Sequence, residues 1–234
     1  MAGAASPRGV AYGVGVGPGD PEYVTLKAAR LIRENRVMAL PGADPKNTAA
    51  YRIALAAVPE LAEKTLLGLP APMTRDRAEM DAAHRAAADA IEQWLDRSEN
   101  VVYLTLGDPT VYCTFSYIQR LLERDGYAVE LVSGVTSFCA AAARLGRPLA
   151  EWDEPVHILP AGQPGGTETD LPGTLVLMKS GREMPAVKDA LRRSGRSAGM
   201  VERCGMPGER VFRSVDEIPD DAGYFSLIIA KEKE

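Results

Sequence analysis

Apolar positions follow two rhythms along the chain. From Val10 to Val132, short apolar runs alternate with longer stretches whose apolar residues fall at helical spacing. The runs predict strands over Val10–Gly17, Arg36–Pro41, Thr65–Leu69, Val101–Leu106 and Ala128–Val132. Between them, helices are predicted over Thr25–Asn35, Thr48–Ala57, Arg77–Arg97 and Thr114–Arg124, the first two opened by threonines of the N-cap type. The third presents Ala78, Ala82, Ala86, Ala90, Ile91, Trp94 and Leu95 as a face for packing on a sheet. Such alternation is that of βαβ units with a parallel sheet. After Gly134 comes one more helix, Ser137–Leu145, and then the runs "VHILPA", "TLVLMK", "AGMVERC", "ERVFRS" and "YFSLIIA". Strands in succession without intervening helices imply hairpins and a mixed sheet. The chain is therefore expected to be α/β throughout, with an N-terminal parallel-sheet domain over 1–134 and a C-terminal mixed domain over 135–234, packed without a linker.

Composition removes several function classes. A formal charge of −5 and a pI near 5.3, with no block of lysine or arginine, argue against nucleic-acid and membrane-surface partners. The longest apolar runs, such as "FSLIIA", fall well short of the ~20 residues of a membrane span. The start "MAGAASPRG" lacks the basic and apolar regions of a secretory signal, so a cytoplasmic setting is expected. Cys113, Cys139 and Cys204 are odd in number and widely spaced, and with only His84 and His157 beside them no metal site is expected.

The candidate chemistry lies in the glycine-rich turns. "GVGVGPGDP" follows the first predicted strand, as a dinucleotide loop would, but Pro18 stands where the third glycine should fall. Asp20 repels phosphate, Pro18 and Pro21 remove amide donors, and no Gly-Lys-Ser/Thr follows for a nucleoside-triphosphate loop. The Gly-Asp-Pro unit recurs in "LTLGDPTVY", and a third turn, "SGVTSFCAAAARLG", adds a glycine, hydroxyls and small residues. At the carboxyl edge of one sheet, three such turns suit a ligand that is cationic or rich in hydroxyls, with glycines letting backbone come close to it.

These stretches, with "PMTRD", "ILPAG", "LVLMK" and "ERCGMPGERV", resemble the tetrapyrrole (class III) adenosylmethionine-dependent methyltransferases of cobalamin biosynthesis over nearly the whole chain. The branch they resemble most methylates carbon 20 of precorrin-2 or its cobalt form. The resemblance implies a homodimer of two-domain subunits, with S-adenosyl-L-methionine folded into the cleft between the domains and released as S-adenosyl-L-homocysteine. It further implies cofactor contacts at Pro18, Gly107, Asp108, Val111, Thr136, Ser137, Met178, Cys204 and Ser226. Ser133 and Cys113 depart from the family's usual proline and serine but keep small side chains.

A meso carbon of a reduced tetrapyrrole is already nucleophilic, so no serine, cysteine or histidine nucleophile is required; the proton lost afterwards needs an acceptor, for which Tyr112 and Glu202 are candidates beside His84. Arg75 and Arg77 are the first choices for holding substrate carboxylates, followed by Arg52, Arg120 and Arg182. The alternatives are methylation of another tetrapyrrole position (precorrin-3 or precorrin-4 type, or uroporphyrinogen III), a macromolecular methyl acceptor, a nicotinamide-dependent dehydrogenase and a non-catalytic sensor.

Overall fold

The computed structural model describes residues 8–72, 74, 76–161 and 168–232, with the side chain of Arg182 excepted. The chain divides into two compact units, one ending at Val135 and the other beginning at Thr136.

The first unit holds a five-stranded, fully parallel sheet in the order β3-β2-β4-β1-β5, with β1 at Val10–Gly15, β2 at Val37–Pro41, β3 at Thr65–Leu69, β4 at Val101–Thr105 and β5 at Ala128–Val132. Its helices are α1 (Leu26–Glu34), α2 (Ala49–Ala57), α3 (Arg77–Leu95) and α4 (Phe115–Arg124). Thr25 and Thr48 cap α1 and α2, each hydroxyl accepting from the amide three residues on at 3.1 Å. One face of the sheet (Ala11, Val37, Ala39, Leu69, Val101, Tyr103) is covered by α3 and α4. The alternate residues Val14, Met38, Leu40, Val102 and Leu104 are equally buried on the other face.

In α3 the buried stripe is Ala83, Ala87, Ala88, Ile91 and Leu95, and the expected Ala78, Ala82 and Ala86 face solvent. Alanines occupy several faces of this helix, so its orientation is set by the larger side chains Ile91 and Leu95 and by what lies one and two turns before them.

The second unit opens with α5 (Ser137–Leu145), followed by β6 (Val156–Pro160), β7 (Thr174–Met178), α6 (Met184–Ser194), β8 (Ser197–Glu202), β9 (Arg210–Phe212) and β10 (Ser226–Lys231). The strands form a mixed sheet in the order β6-β7-β10-β8-β9. Helix α6 corrects the expectation of uninterrupted strands, and of consecutive strands only β8 and β9 pair antiparallel, while β6 and β7 run parallel. The α6 segment carried its own signals: Pro185 in the first turn, Met184, Val187 and Leu191 at helical spacing, and Gly195 closing it in the left-handed conformation. Met184, Val187 and Leu191 pack with Leu175, Leu177, Ala198, Met200, Ile228 and Ala230 on one face of the sheet. On the other face α5 lies so close that a Cβ on Gly199 would meet Leu145 Cδ2 at 2.8 Å.

Candidate functional site

In the first unit, β1 and β4 are neighbours whose onward connections lead to opposite sides of the sheet, to β2 and to β5. Ligands of such sheets bind outside the carboxyl ends of the strands at that reversal. The three turns leaving β1, β4 and β5 meet there. Gly17 and Gly107 exchange backbone hydrogen bonds, Gly17 N donating to Gly107 O at 3.2 Å and Gly107 N to Gly17 O at 2.8 Å. A Cβ on Gly134 would lie 2.2 Å from Gly107 O, and one on Gly15 would lie 2.4 Å from the same oxygen. Gly15 and Gly134 thus bring the turns against one another, whereas a Cβ on Gly107 would meet nothing within 4 Å. Packing requires Gly13, since a Cβ there would strike the Phe115 ring at 2.3 Å.

Asp108 locks this arrangement. Its side chain is buried; Oδ1 accepts from Thr110 N at 2.8 Å and from Thr110 Oγ1 at 2.5 Å, and Oδ2 accepts from Gly134 N at 2.9 Å. A carboxylate read from the sequence as offered to a ligand is used to tie the β4 turn to the β5 turn. Pro18 is buried in the same cluster, and Val111 lies half-buried on the β4 turn. Tyr112, next along, is exposed and held at φ 47°, a left-handed conformation that costs a residue with a Cβ. Cys113 donates to Thr105 Oγ1 at 3.2 Å, and burial pushes its thiol up, so it stays protonated at neutral pH.

The substrate arginines divide. Arg75 lies outside the described residues, while Arg77 is exposed in the first turn of α3, behind the Asp76 cap. His84 stacks on Tyr117, in the first turn of α4, with ring centroids 4.7 Å apart, and burial lowers its pKa. A groove of about 460 Å³ lined by Arg33, Arg36, Glu60 and Lys64 opens at the amino end of β2, the edge opposite the turns, and Arg33 and Glu60 there already pair at 3.1 Å.

In the second unit, the register sets Met178 beside Leu227 and Ser226 beside Glu202, so β7, β10 and β8 share one edge at these residues. The far end of α5 is tied to the opposite edge by Arg147 to Ser197 at 3.1 Å and by Arg213 to Leu145 O at 3.0 Å. The start of α5, with Thr136 and Ser137, therefore points toward the Met178 edge. Thr136 Oγ1 is buried without a hydrogen-bond partner among the described residues. Met178 lies on the sheet face that α5 covers, by its alternation with Leu177 on the α6 face.

Ser226 does not join them. It shares the face of Ile228 and Ala230, toward α6, and its hydroxyl donates to Gly223 O. Glu202 lies on that face too, its carboxylate accepting from Arg210 Nε at 2.6 Å and from Gly223 N at 2.7 Å, so it braces the strand end. Cys204 is buried two residues past β8 at the same edge.

The residues present fit a methyl-donating sulfonium nucleoside. In the first unit the closely packed turns offer backbone polar groups, and in the second a buried orphan hydroxyl and a half-buried thioether offer one polar and one soft apolar contact. Among the described residues no group of three or more His, Cys, Asp or Glu is arranged to hold a metal, and no helix is long and apolar enough to cross a membrane.

Comparisons with known proteins bear on the fold and the family. Residues 10–218 match the family of tetrapyrrole (corrin/porphyrin) methylases. A probable cobalt-precorrin-2 C(20)-methyltransferase of Methanocaldococcus jannaschii is 34% identical, over 94% of this chain and 95% of its own. A precorrin-2 C(20)-methyltransferase of a Sinorhizobium species is 30% identical over 93% of each. The crystal structure of uroporphyrin-III C-methyltransferase from Thermus thermophilus, complexed with S-adenosylhomocysteine, superposes with a TM-score of 0.69 at 27% identity, covering 96% of this chain and 98% of that one. The chain belongs to the tetrapyrrole methylase family.

Proposed function

We propose that this protein transfers a methyl group from S-adenosyl-L-methionine to carbon 20 of precorrin-2 or cobalt-factor II in the building of the corrin ring. The observation that carries the reading is likeness along almost the full chain to C(20)-methyltransferases of both the cobalt-containing and the metal-free substrate. The bound donor supplies an electrophilic methyl on a positively charged sulfur. The chain supplies position: methyl transfer requires nucleophile, carbon and sulfur nearly in line, and holding that geometry away from water gives most of the acceleration.

Pro18, Gly107, Asp108 and Val111 from the first unit and Thr136, Ser137, Met178 and Cys204 from the second are the proposed cofactor residues. Asp108 acts by fixing the turn, and Thr136 by offering its unsatisfied hydroxyl. Ser226, named with them by resemblance, contributes through its place on the strand, since its hydroxyl is engaged with Gly223. Glu202 is committed to Arg210 and the Gly223 amide; Tyr112, exposed on the β4 turn, is kept as the candidate that orients a water to accept the proton shed by the methylated carbon. Arg75 and Arg77 remain the proposed carboxylate-binding residues of the first unit. A homodimer in the cytoplasm is part of the same proposal, supported by the family resemblance and by the odd, widely spaced cysteines.

The test is turnover of precorrin-2 and cobalt-factor II in parallel, with the methyl position read by NMR. A methyl at carbon 20 is expected. A methyl at another carbon would reassign the chain to a different step of the same chemistry, and no transfer to either substrate would remove the proposal.

A further inference from the structure

Five residues other than glycine have positive φ among those described: Ser98, Tyr112, Trp152, Lys179 and Arg203. Two of them are cations, and these two occupy equivalent places. Lys179, at φ 59°, directly follows the last residue of β7, and Arg203, at φ 54°, directly follows the last residue of β8. Strand β10 runs between β7 and β8, so the two exits stand two strand spacings apart, about 10 Å, on the edge that carries Met178. Both residues are exposed.

A left-handed backbone is strained for any residue with a Cβ and relaxed for glycine. Turns that glycine would fit better nevertheless hold a lysine and an arginine, and strain kept at a ligand-binding edge points to use of the side chain. A second feature marks the same exit: the Ser180 hydroxyl, next to Lys179, is fully buried and has no hydrogen-bond partner among the described residues.

We propose that Lys179 and Arg203 bind carboxylates on the rim of the tetrapyrrole substrate. The inference rests on the reading given under Proposed function, which makes the substrate a polycarboxylate. A net charge of −5 repels such a substrate at long range, so local cations must receive it, and two cations at separate strand exits suit carboxylates spread around a macrocycle better than one cluster does.

The experiment uses Lys179→Gly, Arg203→Gly and the double variant, with uroporphyrin III, an octacarboxylate porphyrin, as the binding probe followed by fluorescence. Glycine removes the side chain and relaxes the backbone together, so each variant is expected to melt at or above the wild-type temperature. Porphyrin affinity at low ionic strength should fall about fivefold for each, and more for the pair, while adenosylhomocysteine affinity stays within about twofold. KM for precorrin-2 should rise in step with the loss of porphyrin binding. Unchanged porphyrin affinity in both single variants would overturn the inference, as would an equal loss of porphyrin and adenosylhomocysteine binding. Porphyrin binding is read without turnover, so a wild-type protein that binds the probe but methylates neither precorrin-2 nor cobalt-factor II would count against the proposed reaction and leave the two cations to be judged on affinity.

Discussion

The tripeptide Gly-Asp-Pro occurs twice, at Gly19–Pro21 after β1 and at Gly107–Pro109 after β4, and the fold treats the two copies differently. In both, the aspartate accepts from the amide two residues on, Asp20 from Glu22 at 3.0 Å and Asp108 from Thr110 at 2.8 Å, which is the local turn its sequence dictates. Asp20 is half-buried and caps a short 3-10 turn. Asp108 is buried, and its second oxygen reaches 26 positions along the chain to the amide of Gly134. The same three residues make a local bend in both places, and at the second the aspartate also ties two strand exits together. What differs is the neighbour: β1 lies between β4 and β5, and the β5 turn carries a glycine small enough to bring its amide up to the carboxylate.

Substitutions in the two turns should separate these uses. The largest loss is expected from Gly134→Ala, whose Cβ would meet backbone of both neighbouring turns; overpacking of this kind costs about 3 kcal/mol, read by urea denaturation, with adenosylhomocysteine binding abolished. Next comes Asp108→Asn, which keeps one acceptor but faces an NH₂ group toward either Gly134 or Thr110, for a loss of about 2 kcal/mol and clearly weaker cofactor binding by calorimetry. Gly107→Ala has open space around its Cβ and suffers only from φ 69°, so about 1 kcal/mol is expected. A smaller effect is expected from Asp20→Asn, because asparagine still accepts from the Glu22 amide and the residue is only half-buried, so stability should fall by less than it does for Asp108→Asn. Equal losses at Asp20 and Asp108 would erase the distinction between the turns.

Much of the fold could be read from local pattern. The five strands of the parallel sheet and their helices follow from apolar runs and caps, because each signal lies within a few residues of what it specifies. The sequence of α3 leaves its phase open, since alanine is small enough to be tolerated on any face, and the helical signal of α6 is weak beside the stronger strand signals around it. The site was legible as a set of turns, less so as a set of roles. Asp108 looked available because its partner Gly134 is distant in sequence, and Ser226 and Glu202 looked available because strand parity relative to α6 is not visible without the helix. Lys179 and Arg203 lie within the stretches "LVLMK" and "ERCGMPGERV", but nothing there marks the two side chains, because their positive φ is a property of the folded turn.

On the proposed reading, the turns at the strand exits hold a sulfonium nucleoside and not a dinucleotide. Calorimetric titration of the wild-type protein with adenosylhomocysteine and, separately, with NAD tests it most directly. Saturable binding of adenosylhomocysteine with no heat from NAD is the predicted result. Tight binding of NAD with none of adenosylhomocysteine would contradict it.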